Sequence, residues 1–252
     1  MARILDLLMV GGTAILSVRL LASGLYFRYR AFFGYLIFAT LRNGIPLNFD
    51  PAGKAYLHFW VITEPIEWVF YVLVVLELYS LVLEDYRGLA TAGRWALIAA
   101  FCLALLASGL SLMAPSHSTR QGPLLAYYYV ADRAVYFSLL VFLLTILGVL
   151  MQYPIELSRN VLVHSIVFSV YFLANMVNYL LLSMFGYEMI QVVRMAMSMV
   201  TIAAICVWLA MLNPAGELRK QRLRPSWMPG REEELVSQLN NLNAALLRAT
   251  RK

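Results

Sequence analysis

Glu64, Glu67 and Glu77 lie inside one apolar stretch, Ala55 to Leu83, that is long enough to cross a bilayer. A carboxylate at membrane depth costs about 2.5 to 3.5 kcal/mol on insertion scales, so such groups face a bundle interior or a wet cavity and mark function. Glu64 and Glu67 are three residues apart and share a helix face with Trp60 and Tyr71, at spacings of four, three and four. Pro65 removes a backbone donor between them, and a helix kinked there opens room for water or a ligand. The chemistry these residues suggest is recognition of a small polar or zwitterionic group.

The elements that must position them follow from composition and hydropathy. The 252 residues are 62% hydrophobic and only 13% charged, with a mean hydropathy of +0.72. A soluble domain is nearer half apolar and a quarter charged, so the chain reads as an all-α, polytopic membrane protein with little mass outside the bilayer and no separate catalytic domain. Net charge +6 does not point to nucleic acid, because the basic residues sit in loops and tail and form no groove-reading motif. Apolar runs predict seven transmembrane helices, at roughly 5–24, 30–47, 55–83, 94–114, 124–152, 159–183 and 188–212. The second has a short apolar core, interrupted by Arg42 and closed by Gly44 and Pro46, so six spans with a re-entrant second segment stands as an alternative. The apolar run after Met1 resembles a signal peptide but is read as a span.

Orientation follows from the short loops. With the C-terminus inside, seven crossings put Arg28, Arg30, Arg87, Arg94, Arg159 and the basic tail on the cytoplasmic side and leave Arg3, Lys54 and Arg120 outside. That fixes depth. Arg42, Glu64, Glu67, Asp132, Arg133 and Arg194 fall in the outer half, where acids and guanidiniums can neutralise one another in a shared ligand-binding site. Tyr129 beside Asp132, and Asn178 on the sixth span, complete that site. Arg19 and Glu77 fall in the inner half as a second pair, and the Pro65 kink would couple the two levels. His164, Tyr171, Asn175 and Asn178 share one face of the sixth span and should turn inward. The fourth span is uncharged and rich in small residues, as a lipid-facing or helix-packing element is.

Three regions are expected: a helical membrane domain over 1–213, a basic juxtamembrane linker over 214–231, and a cytoplasmic amphipathic helix over 232–252. Arg219, Lys220, Arg222 and Arg224 would be worth about 1 kcal/mol each against anionic lipid. Leu235, Leu239, Leu242 and Leu246 repeat at four, three and four, a stripe that could dock on a protein partner, self-associate or lie on the bilayer.

Several chemistries are excluded by residue. A retinal protein needs a lysine in the last span, and the lysines are Lys54, Lys220 and Lys252. The three histidines do not converge at one depth, and no HxxxH pair exists for zinc or haem. His164 is read as a hydrogen-bonded bundle residue, and Cys102 and Cys206 as buried small hydrophobes. There is no nucleophile with a matching base, no phosphate loop and no dinucleotide fingerprint. No enzyme activity and no cofactor are expected. The expected function is that of a receptor-like or sensor-like protein of a bacterial cytoplasmic membrane, with a non-catalytic complex subunit or a proton-coupled transporter as alternatives.

Overall fold

The structure of the chain is a computed structural model that describes residues 2–49, 53–84, 123–152, 156–185, 190–218 and 220–222, with scattered positions between 95 and 102 and between 237 and 248. Helix α1 (Ala2–Ala22) leads through a single turn (Leu25–Phe27) into α2 (Arg30–Gly44), which a further turn (Ile45–Asn48) extends. The chain continues as α3 (Lys54–Val82), α4 (Pro123–Gln152), α5 (Arg159–Phe185), α6 (Ile190–Met211) and the short α7 (Pro214–Leu218). The predicted fourth span, at 94–114, lies outside the described residues apart from isolated positions, as do the tail leucines 235, 239, 242 and 246.

Five of these helices, α1, α3, α4, α5 and α6, are long and apolar enough to cross a membrane. Their surface says the same thing. Ile15, Val18, Ile62, Val170 and Met199 are exposed, while Glu64, Asp132, Asn160, His164 and Asn175 are buried, the reverse of what water demands of a soluble fold. Backbone polar groups closed within helices and apolar side chains turned outward are the solution that lipid imposes. The 15 residues of α2 span only about 22 Å at 1.5 Å each, which is why it is not among these five. It is nevertheless a continuous helix. It runs antiparallel to α3, its first turn beside Glu77 and its last beside Glu64 and Glu67.

Pro65 sits within α3 without ending it, and the helix runs from Lys54 to Val82. Helices α3 and α4 run parallel: Trp68 meets Asp132 and, about ten residues further along each, Tyr79 meets Phe142. Aromatic rings fill the space between helices. Tyr71 packs on Tyr35, Tyr136 and Phe172 with centroids 5.3, 5.6 and 5.4 Å away.

Among the described residues, one departure from an all-helical fold occurs at the end of the bundle where α6 stops. Glu156–Ser158, between α4 and α5, pairs antiparallel with Lys220–Arg222, Leu157 opposite Gln221. Part of the basic linker is thereby held as a strand. Glu217 of α7 completes the attachment, accepting from the Tyr29 hydroxyl and from Asn160 Nδ2 (2.9 Å) and pairing with Arg28 (3.3 Å). Asn160 also donates to Asn213 O (2.8 Å), and Gly216 lies so close that a Cβ there would collide with Asn160 Oδ1.

Candidate functional site

Arg42 is the last charged residue of α2, and the antiparallel packing of α2 on α3 brings it to Glu64 and Glu67. Its two terminal nitrogens divide between them, one facing Glu64 Oε2 and the other Glu67 Oε2. Three-residue spacing on α3 is what lets one guanidinium fork engage both carboxylates, since side chains at i and i+3 stand one above the other. All three side chains are largely buried.

From Glu67 the network continues inward. The Tyr71 hydroxyl, one turn along, donates to Glu67 Oε1 (2.8 Å) and lies 2.9 Å from the Tyr171 hydroxyl of α5. Because the Tyr71 proton is committed to Glu67, Tyr171 donates to Tyr71. On α4, Asp132 is fully buried, and its Oδ1 accepts from Trp68 Nε1 (2.7 Å), while Oδ2 has no hydrogen-bond partner among the described residues. Asp132 stands within electrostatic range of Glu64 and Arg42. Four elements thus contribute, with α3 at the centre.

The inventory of charge here is uneven. Three carboxyl groups, Glu64, Glu67 and Asp132, face one guanidinium, Arg42. A low-dielectric interior tolerates charge only when it is paired, so a carboxyl in surplus over the described guanidinium is neutral by its own proton or met by a further cation. Among the described residues no group of three potential metal ligands is disposed to hold an ion. An organic cation or a proton fits the donor set better than a coordinated metal.

Not every expected member is present. Arg194 turns to the opposite side of its helix, toward α1, and pairs with Asp6 at 3.4 Å. Asn178 is buried but donates to Met197 Sδ (2.8 Å) across α5 and α6. Arg133 is half-buried, and no ion pair joins it to a described residue. Tyr129 lies in α4, with its side chain outside the described residues. Arg19 and Glu77 do not pair with each other. Glu77 instead accepts from the backbone N–H groups of Ala31 (2.8 Å) and Phe32 (3.1 Å), and Arg19 donates to Leu212 O (3.0 Å). Each satisfies a helix end, where four backbone groups lack intrahelical partners.

The polar stripe of α5 does turn inward, with His164, Tyr171, Asn175 and Asn178 all buried. His164 differs from expectation in its surroundings. Neither ring nitrogen has a hydrogen-bond partner among the described residues, and the ring packs against Phe32 (4.5 Å), Tyr29 (4.7 Å) and Trp208 (6.0 Å). Cys102 and Cys206 are exposed rather than buried, since small apolar thiols suit a lipid-facing surface as well as a core. Trp68, Tyr71 and Tyr171 are the site residues that sequence reasoning did not assign. Tyr71 was visible by its spacing from Glu67, whereas Trp68 carried no signal until the packing of α4 was known.

Fold and centre together define a helical integral membrane protein with a buried, acid-rich polar core. No family model, curated protein or solved structure matches the chain.

Proposed function

We propose that the chain is a receptor-like or sensor-like membrane protein whose Arg42–Glu64–Glu67–Asp132 centre binds a small polar ligand through a cationic group on that ligand. The observation that carries the reading is the surplus of carboxyl over guanidinium in a buried place. An ammonium or amidinium would donate an N–H to the unpartnered Oδ2 of Asp132 and supply the missing charge. In this reading the bundle makes seven crossings, with the N-terminus outside and the centre in the outer half. The parallel course of α3 and α4 supports that count, because the connection between them has to return across the bilayer. The protein is a non-enzyme of a bacterial cytoplasmic membrane and acts through a partner at its C-terminal helix. The attachment of α7 and the basic strand to Tyr29, Asn160 and Glu156–Ser158 supports a route from the bundle to that tail.

The test is thermal unfolding of the purified protein with a panel of primary amines, guanidines, amino acids, carboxylates and neutral sugars. Compounds with a cationic group should stabilise it, by about 2.7 kcal/mol at one hundred times Kd. Asp132→Asn should abolish the response. Stabilisation by carboxylates or sugars alone, or a response untouched by Asp132→Asn, defeats the proposal. A proton-coupled pathway is the second reading, favoured by the hydroxyl chain from Glu67 through Tyr71 to Tyr171, which links exchangeable protons across two helices. Proton flux in liposomes that disappears in Glu67→Gln would favour it over the first.

A further inference from the structure

Arg194 and Asp6 are left over from the centre and form a site of their own. Helices α1 and α6 run parallel there, and the two residues stand about one turn in from the starts of their helices, Ala2 and Ile190. A cavity of about 250 Å³ opens between them, lined by Leu5, Asp6, Gln191, Arg194, Met195 and Ser198. Val192, which also lines it, and Met199 nearby are exposed, an apolar surface of the kind that lipid covers.

We propose that this cleft binds the headgroup of a zwitterionic phospholipid carrying a primary ammonium. Opposite charges set into a lateral face one turn below a helix end match the two charges of such a headgroup, which lies at that level of the bilayer. The pair is loosely closed: at 3.4 Å it is longer than the 2.8 Å of Arg28 with Glu84, and the Arg194 side chain is 53% exposed against 24% for Asp6. A guanidinium has five N–H donors, and the contact to Asp6 engages one nitrogen, so donors remain for a phosphodiester. The Asp6 carboxylate accepts from the ammonium, Gln191 adds an amide donor, and Met195 and Val192 offer flexible apolar contact to the first acyl carbons. An anionic lipid would meet Arg194 but also the repulsion of Asp6; a trimethylated headgroup would bring no N–H for Asp6 to accept. The site therefore selects as well as binds, and it is independent of the proposed ligand centre.

Native mass spectrometry of the purified protein, with phosphatidylethanolamine, phosphatidylcholine and phosphatidylglycerol offered at equal concentration, tests this. The wild type should retain phosphatidylethanolamine preferentially, by about tenfold for a difference of one good charge-assisted hydrogen bond. Arg194→Gln should lose all retention. Asp6→Asn should keep binding and lose the preference, and it doubles as a control that folding survives. Equal retention of the three lipids by the wild type, or retention unchanged in both variants, overturns the proposal. So does a preference for phosphatidylglycerol, which would make the cleft a plain anion site.

Discussion

Removing Arg42, the one guanidinium that the described residues bring to the centre, should be far more damaging than removing one of its acids. Arg42→Gln leaves Glu64 and Glu67 buried without a countercharge, and breaking a buried pair by deleting one partner costs about 3 to 5 kcal/mol. In a protein of this size each kcal/mol moves Tm by about 2 to 4 °C, so the loss should lie between about 6 and 20 °C. Asp132→Asn removes a carboxyl from a centre that has too many and introduces an amide, which donates as well as accepts. Its Tm should stay level or rise. The Oδ1 that accepts from Trp68 is kept, because the asparagine carbonyl occupies that position. The assay is circular dichroism of α-helix content against temperature in a mild detergent, each variant checked for monodispersity first. Equal destabilisation by the two substitutions would refute the reasoning, since it would mean that the centre is balanced as it stands.

Other expectations follow from single contacts. Tyr71→Phe deprives Glu67 Oε1 of a donor and Tyr171 of an acceptor, and should cost about 1 to 3 kcal/mol by the same assay. Gly216→Ala should destabilise by about 1 to 3 kcal/mol because its Cβ would collide with Asn160, whereas Gly11→Ala, with nothing within 4 Å, should stabilise α1 by up to about 1 kcal/mol. Glu77→Ala should lower stability by about 0.5 to 2 kcal/mol through loss of the cap on α2, with hydrogen exchange at Ala31 and Phe32 rising first. Tyr29, in the loop before α2, has its phenol pushed up by burial, then by its hydrogen bond and charge interaction with Glu217. A raised folded value means that its contribution is complete below about pH 10, the unfolded value, and is lost as the pH climbs from there through the folded value. Stability should therefore fall less steeply between pH 9 and 12 in Tyr29→Phe than in the wild type.

Much of this architecture can be read from the sequence because lipid imposes few rules. An apolar run of the right length has one stable form in a bilayer, which is why the predicted spans at 55–83, 124–152, 159–183 and 188–212 agree within a few residues with α3 to α6. Which charged residues meet was legible in part. Arg42, Glu64, Glu67 and Asp132 were placed at one level by counting residues, and they meet there. Direction around the helix axis was not. Arg194 does not join them but faces α1, and hydropathy gives no azimuth for a residue on a helix apolar all round. Glu77 and Arg19 show a second limit. Their level suggested each other, but unpaired backbone groups at the ends of α2 and α6 compete for charged side chains, and those ends are visible only once the helices are folded. The strand made by Lys220–Arg222 was hidden for a related reason: three polar residues, two of them basic, carry no period until a partner strand is beside them.

The most direct measurement of the central claim is an experimental density map of the protein with the amine that stabilises it best. The account predicts an ammonium or guanidinium within hydrogen-bond reach of the Asp132 Oδ2 atom, with Arg42 still forked between Glu64 and Glu67, and no such density in Asp132→Asn. Density for the amine at another place, with Asp132 closed against protein groups and no positive charge added to the centre, would contradict it.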